Sequence, residues 1–109
     1  MAYDEELARR VRTALSATSG VVEKRMFGGT SFLVQGNMAC GVLKDELMVR
    51  VGPDAHEGAL ARPHTRLFDM TGKPMKGWVL VAGEGYASEG DLTGWVRQGV
   101  EFALSLPAK

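Results

Sequence analysis

Apolar residues recur at helical spacing near both ends of this chain and at every second position through much of its middle. In YDEELARRVRTALSATSG, Leu7, Val11 and Leu15 fall one turn apart, with Ala8 and Ala14 beside them, which predicts an amphipathic helix. Asp4 suits its N-cap, and Gly20 ends the pattern. Near the other end, Leu92, Trp95, Val96, Gly99, Ala103 and Leu106 repeat at the same period until Pro107. Ser88 and Asp91 open that helix in a capping-box-like arrangement.

Between the helices the period drops to two. VVEKRMF reads as a first strand, and TSFLVQ follows with Phe32 and Val34 on one face. Gly36-Asn37 has the composition of a tight hairpin turn. MACGVL places Met38, Cys40 and Val42 on one side and Ala39, Gly41 and Leu43 on the other. After a second turn at Lys44-Asp45, ELMVRV sends Leu47, Val49 and Val51 inward. Such short connections exclude parallel crossovers, so these strands form an antiparallel meander. GPDAHEGALARPH reads as a short helix starting near Pro53 or Asp54 and stopped by Pro63. RLFDM and GWVLVA are two more strands, joined by TGKPMK.

The order α-β-β-β-β-α-β-β-α, with no linker or repeat, predicts one domain over residues 1–109. Its class is α+β: a two-layer arrangement in which an antiparallel sheet of about five to six strands packs on the N- and C-terminal helices. Two helices cover one face. The other face would carry Leu33, Leu43 and Met48, and an exposed apolar face of that kind predicts a homodimer.

Charge narrows the classes of partner. Thirteen basic residues balance thirteen acidic ones, which removes the whole-molecule footprint of a protein that holds duplex DNA by its phosphates. A local basic patch stays open. The single cysteine, Cys40, cannot form an internal disulfide and fits a reducing compartment. The first residues carry acids where a secretory signal needs bases, and no run approaches the roughly eighteen apolar residues of a membrane span. The reading is a cytoplasmic protein with no membrane partner.

Several residues invite a chemical role, and their surroundings argue against it. Gly28-Gly29 lacks the lysine and hydroxyl residue of a phosphate loop, and a strand follows it instead of a helix. A bend or bulge beside a core-anchored Phe27 is the simpler reading. Gly83-x-Gly85 resembles half of a dinucleotide fingerprint, but Ser88 stands where the third glycine belongs. Glu84, Glu89 and Asp91 also put negative charge where a pyrophosphate would lie. Cys40 reads as a small core residue, and His56 and His64 belong to no zinc motif. No catalytic residue, cofactor or metal is assigned. Arg9, Arg10 and Arg12 lie on a helix where Glu5 and Glu6 precede Arg9 and Arg10 by four residues, the spacing of surface ion pairs. Trp78 and Trp95 read as core or rim aromatics. Arg25, Arg50, Lys73 and Lys76 lie near strand ends or turns; if those ends converge, they form an anion-binding edge.

One ordered set of segments goes further. It comprises Arg25-Met26-Phe27-Gly28-Gly29, Phe32, Gly36-Asn37-Met38, Leu47-x-x-Arg50, the run GKPMKGW ending at Gly77-Trp78, and the closing SLPAK. Through these the chain resembles the TfoX/Sxy family, matching the N-terminal domain of its members over nearly the full length. The resemblance implies a fold of the YgaC/TfoX-N type, similar to secretion-chaperone folds, with no established enzymatic activity. Larger members regulate natural competence and are thought to act with the cyclic-AMP receptor protein at particular promoters, so the resemblance points to protein partners in the transcription machinery. The sequence ends at residue 109 with no counterpart of their C-terminal helical domain. Arg25, Met26, Phe27, Gly28, Gly29, Phe32, Gly36, Arg50, Gly77 and Trp78 are its fold signature. Two functions are thus expected in order: a non-enzymatic interaction module, then a binder of a small anionic ligand or nucleic acid at the basic edge.

Overall fold

The computed structural model describes residues 4–26, 28–68 and 76–108. Helix α1 (Glu5–Ala14) is followed by β1 (Val21–Met26), β2 (Gly29–Val34), β3 (Asn37–Leu43) and β4 (Glu46–Arg50). Next come α2 (His56–Leu60), β5 (Thr65–Leu67), β6 (Trp78–Val81), a 3-10 turn at Gly83–Gly85 and α3 (Glu89–Ser105). The six strands form one sheet in the order β1-β2-β3-β4-β6-β5, every neighbouring pair antiparallel. This is the expected two-layer α+β architecture.

Both long helices begin where their caps place them. The Asp4 side chain accepts from the Leu7 N–H, and the Ser88 hydroxyl accepts from the Asp91 N–H. Helix α1 stops at Ala14, well before Gly20. Ser16, Ala17 and Thr18 instead make turns, in which the Thr18 N–H bonds the Leu15 carbonyl. Leu7, Val11 and Leu15 meet Leu92, Trp95 and Val96 over Phe32, Val42, Leu47 and Val49. Each large side chain removed from water there contributes about 1.5–3 kcal/mol before chain entropy is charged against it. Among the described residues, no helix is long and apolar enough to cross a membrane.

Two details depart from the strict alternation. The β2–β3 turn is Gln35-Gly36, at φ 52 and 85, one residue earlier than expected. Positive φ at both central positions is what the natural strand twist asks of a two-residue hairpin. Asn37 is therefore not a turn residue; it is buried in β3 and donates to the Pro107 carbonyl at 2.9 Å. The register then shifts, because Phe32 pairs with Cys40 while Leu33 pairs with Met38. Ala39 is the extra residue of a β-bulge. Past the bulge, Met38 clusters with Met48 and Leu80, while Ala39 joins Val34 and Ala103. The side assignments of Met38 and Ala39 made from alternation are thus reversed, since one inserted residue flips everything beyond it.

The second face of the sheet is not the open apolar surface expected. Met38, Met48, Phe68 and Leu80 form a small core of their own, and Met48 is only 1% exposed. Leu33, Leu43 and Trp78 are its half-buried rim.

Candidate functional site

The paired glycines are structural. Met26 pairs with Gly29 across the β1–β2 turn, where Gly28 takes φ 78. A Cβ on Gly29 would lie 2.0 Å from the Val42 carbonyl oxygen on β3. The backbone of β3 takes the space a side chain would fill. Phe27, Lys73 and the rest of the TGKPM segment lie outside the described residues.

Other candidates settle into the fold in the same way. Strand β6 is antiparallel to both neighbours, so Gly83 and Gly85 do not open a parallel dinucleotide-binding unit. A Cβ on Gly85 would meet Val81 Cγ1 at 2.5 Å, which is why a glycine sits there. Cys40 is fully buried, and burial pushes its thiol up to about 12, so it carries no thiolate near neutral pH. His64 is exposed at φ 64, whereas His56 is buried and its Nδ1 accepts from the Gly77 N–H at 2.9 Å. That bond places the neutral ring's proton on Nε2. Trp95 is buried, and Trp78 is half-buried.

The arginines of α1 are paired, but with different carboxylates from those the helical spacing suggested. Arg9 pairs with Glu6, one position nearer than Glu5. Arg10 reaches α3, where it bonds Glu89 and the carbonyls of Tyr86 and Ala87. Arg12 holds Glu23 of β1 at 2.7 and 2.8 Å, and the Thr30 hydroxyl donates to the same carboxylate. Hydrogen bonding from Arg12, aided by Thr30, keeps the Glu23 carboxyl below the usual carboxylate range. These residues tie α1 to the sheet and to α3.

Two members of the basic edge, Arg25 and Arg50, do not come together. Arg25 is level with Thr30, Val42 and Leu47 across the sheet, whereas Arg50 stands three residues further along β4 and three strands away. Strand geometry makes that about 14 Å sideways and about 10 Å lengthwise. Antiparallel order places the two arginines at opposite ends of the sheet. Among the described residues of that set, Lys76 shares an end with Arg50, because the neighbouring Gly77 carbonyl accepts from the N–H groups of Val51 and Gly52.

What the structure does assemble is a corner around Arg50. Its guanidinium lies 5.2 Å from the ring centre of Trp78, its cross-strand partner, and 5.2 Å from that of Phe102 on α3. Both distances suit cation–π attraction, worth about 0.5–2 kcal/mol per ring. Phe68 continues the aromatic group, with its ring centre 6.1 Å from that of Trp78. Gly52 and Gly77 make room for it. A Cβ on Gly52 would lie 2.4 Å from the Phe102 ring, and one on Gly77 would lie 3.1 Å from the Gly52 carbonyl carbon. Both glycines have positive φ, 87 and 94, so the backbone as well as the space demands them. The sequence had singled out Arg50, Gly77 and Trp78 and had weighed His56 only as a zinc ligand; it had not singled out Phe102 or Gly52. Gly52 directly before Pro53 was the available signal for a sharp turn at this corner.

A protein-family model, the TfoX N-terminal domain, matches residues 13–103. The chain belongs to that family. The match spans every strand, α2 and nearly all of α3, and so includes the whole Arg50 corner. No curated protein and no solved structure matches the chain.

Proposed function

We propose that this TfoX N-terminal domain is a small non-enzymatic interaction module, holding a protein partner at the sheet end formed by Arg50, Trp78 and Phe102. One observation carries the reading. A half-buried tryptophan and a half-buried arginine stand together beside the apolar rim of the second core. These are the side-chain types that dominate the energetics of protein interfaces, especially where neighbouring apolar groups exclude water. The other residues with chemical potential support it indirectly, since Cys40 and His56 are consumed by the core and by a backbone hydrogen bond. Family membership makes the transcription machinery the partner class to test first, including the cyclic-AMP receptor protein on its promoter. A second copy of the chain is not needed to bury the central methionines of the second face.

The test is a titration of the fluorescently labelled chain with purified cyclic-AMP receptor protein bound to promoter DNA and, separately, with RNA polymerase. Saturable binding that Trp78→Ala weakens at least about tenfold, with its far-UV circular dichroism unchanged, is the expected result. Absence of binding to both, or equal binding by Trp78→Ala, would overturn this assignment. Sedimentation of the unbound chain shows whether self-association competes for the same corner.

A further inference from the structure

We propose that Arg50 is a receptor for the carboxylate of an acidic protein segment, an inference that rests on the interaction-module reading and names the chemistry of its partner. Arg9, Arg10, Arg12 and Arg66 each meet a carboxylate of this chain. Arg25 and Arg97 are exposed, and Arg62 is exposed with its guanidinium 3.7 Å from the ring centre of Trp95. Arg50 differs from both groups: it is half-buried, yet among the described residues its guanidinium meets aromatic faces and no hydrogen-bond acceptor. Asp54 and Glu57 follow Arg50 closely in sequence and Glu101 precedes Phe102, but among the described residues none forms an ion pair with it. The guanidinium is therefore partly desolvated, with its in-plane donors left for an external group.

That geometry selects the ligand. A guanidinium that meets two rings still carries a fork of coplanar N–H donors along its edge, and that fork remains its route to hydrogen bonding. A carboxylate offers two coplanar oxygens at matching spacing and binds such a fork in a bidentate way. The exposed Lys76, held at this end by the Gly77 carbonyl, adds a second positive charge. Nucleic acid fits less well. A phosphate backbone needs a row of cations, whereas Arg25 lies at the opposite end of the sheet and the chain carries no net charge. The half-buried Trp78 at the site, with Phe68 beside it, adds an apolar element, so the fitting partner is an acidic segment with a large apolar residue next to its Asp or Glu.

The probe is a blocked peptide containing Leu-Glu-Asp-Phe, compared with its Leu-Gln-Asn-Phe counterpart, with inorganic phosphate and with a short DNA duplex. The readouts are the Arg50 Nε–H resonance and the Trp78 indole signal during titration to about 10 mM, a range that captures weak single-site contacts. The acidic peptide is expected to shift both signals saturably. Arg50→Lys should weaken it about tenfold or more, because an ammonium keeps the charge and loses the fork. Arg50→Met fills the gap between the rings without burying a charge, so it should stay folded while losing the peptide. No response to the acidic peptide, an equal response to the amide peptide, or a preference for phosphate or DNA overturns the proposal. If the purified protein partner still binds Arg50→Met, the carboxylate receptor is wrong while the interaction module stands; if no partner binds the unaltered chain, the module itself fails.

Discussion

Replacing Gly99 by alanine sets two known effects against each other in the middle of α3. Helix propensity favours alanine over glycine by about 1 kcal/mol. Packing opposes it. A Cβ at position 99 would lie 2.3 Å from the carbonyl oxygen of Ala39, 3.0 Å from its carbonyl carbon and 3.5 Å from Val49 Cγ1. Carbon and oxygen in favourable contact stand about 3.3 Å apart, so helix and bulge must separate by about 1 Å. The obstructing atoms are backbone in a bulged strand and cannot swing away as a side-chain tip would. Lifting α3 loosens contacts of Trp95, Val96 and Ala103 together, and because the obstruction is backbone the overpacking cost falls in the upper part of its usual range, about 2–3 kcal/mol.

Gly94, five residues earlier on α3, provides the control, because its Cβ would meet nothing within 4 Å. Gly94→Ala should therefore stabilise by up to about 1 kcal/mol, while Gly99→Ala should destabilise by about 1–2 kcal/mol net. For a domain of this size 1 kcal/mol corresponds to about 4 °C in Tm. The two substitutions should move Tm in opposite directions, separated by about 8 °C or more. Thermal and urea unfolding followed by far-UV circular dichroism measure this, and unchanged urea slopes would show that the unfolded states are comparable. If Gly99→Ala proves as stable as Gly94→Ala, α3 does not ride on the carbonyl of Ala39 and the bulge is misplaced.

The hairpin glycines and the buried thiol give two more tests. Gly29→Ala should cost more than about 3 kcal/mol, since Val42 backbone occupies the Cβ position; Gly28→Ala meets open space, and its left-handed φ limits the cost to about 1–2 kcal/mol. Urea unfolding that ranks Gly28→Ala as the worse of the pair would refute this. For Cys40, the folded thiol is pushed up to about 12, while in the unfolded chain it ionises near pH 8.5–9. Its contribution to stability is thus complete below about pH 8.5 and falls across the window up to about 12, with a slope approaching about 1.4 kcal/mol per pH unit. The difference between the chain and Cys40→Ala, measured from pH 8 to about 10.5, isolates this from other groups, and a flat difference would contradict it.

The architecture was legible because its determinants are local. Asp4 and Ser88 cap the helices they precede, and short polar pairs between alternating runs leave antiparallel pairing as the available topology. What was not legible depends on tertiary context. The bulge at Ala39 leaves MACGVL looking like a regular strand, and the residue packed against it lies sixty residues away, where Gly99 lets α3 approach. Arg10 sits at ion-pair spacing from Glu6, yet it turns toward Glu89 and two carbonyls at the start of α3, which together satisfy more of its donors than one exposed carboxylate would. The order β4-β6-β5, which carries β6 to the side of Arg50, also had no signature in sequence.

The family signature mixes residues of two physical kinds, which the structure separates. Gly29, Gly77 and Phe32 answer to the backbone and the core: each is fixed by a close approach, a positive φ or full burial. Arg50 answers to neither. The gap between Trp78 and Phe102 could be filled by an unbranched apolar side chain, which would keep the contact area and avoid taking a charge partly out of water. Two cation–π contacts offset part of that cost but satisfy no N–H donor, and five such donors remain at the guanidinium edge. A fold selected for stability alone gains little from this arrangement. A surface that must recognise a planar anion gains a half-buried fork of donors whose place is already held by two aromatic contacts before the partner arrives.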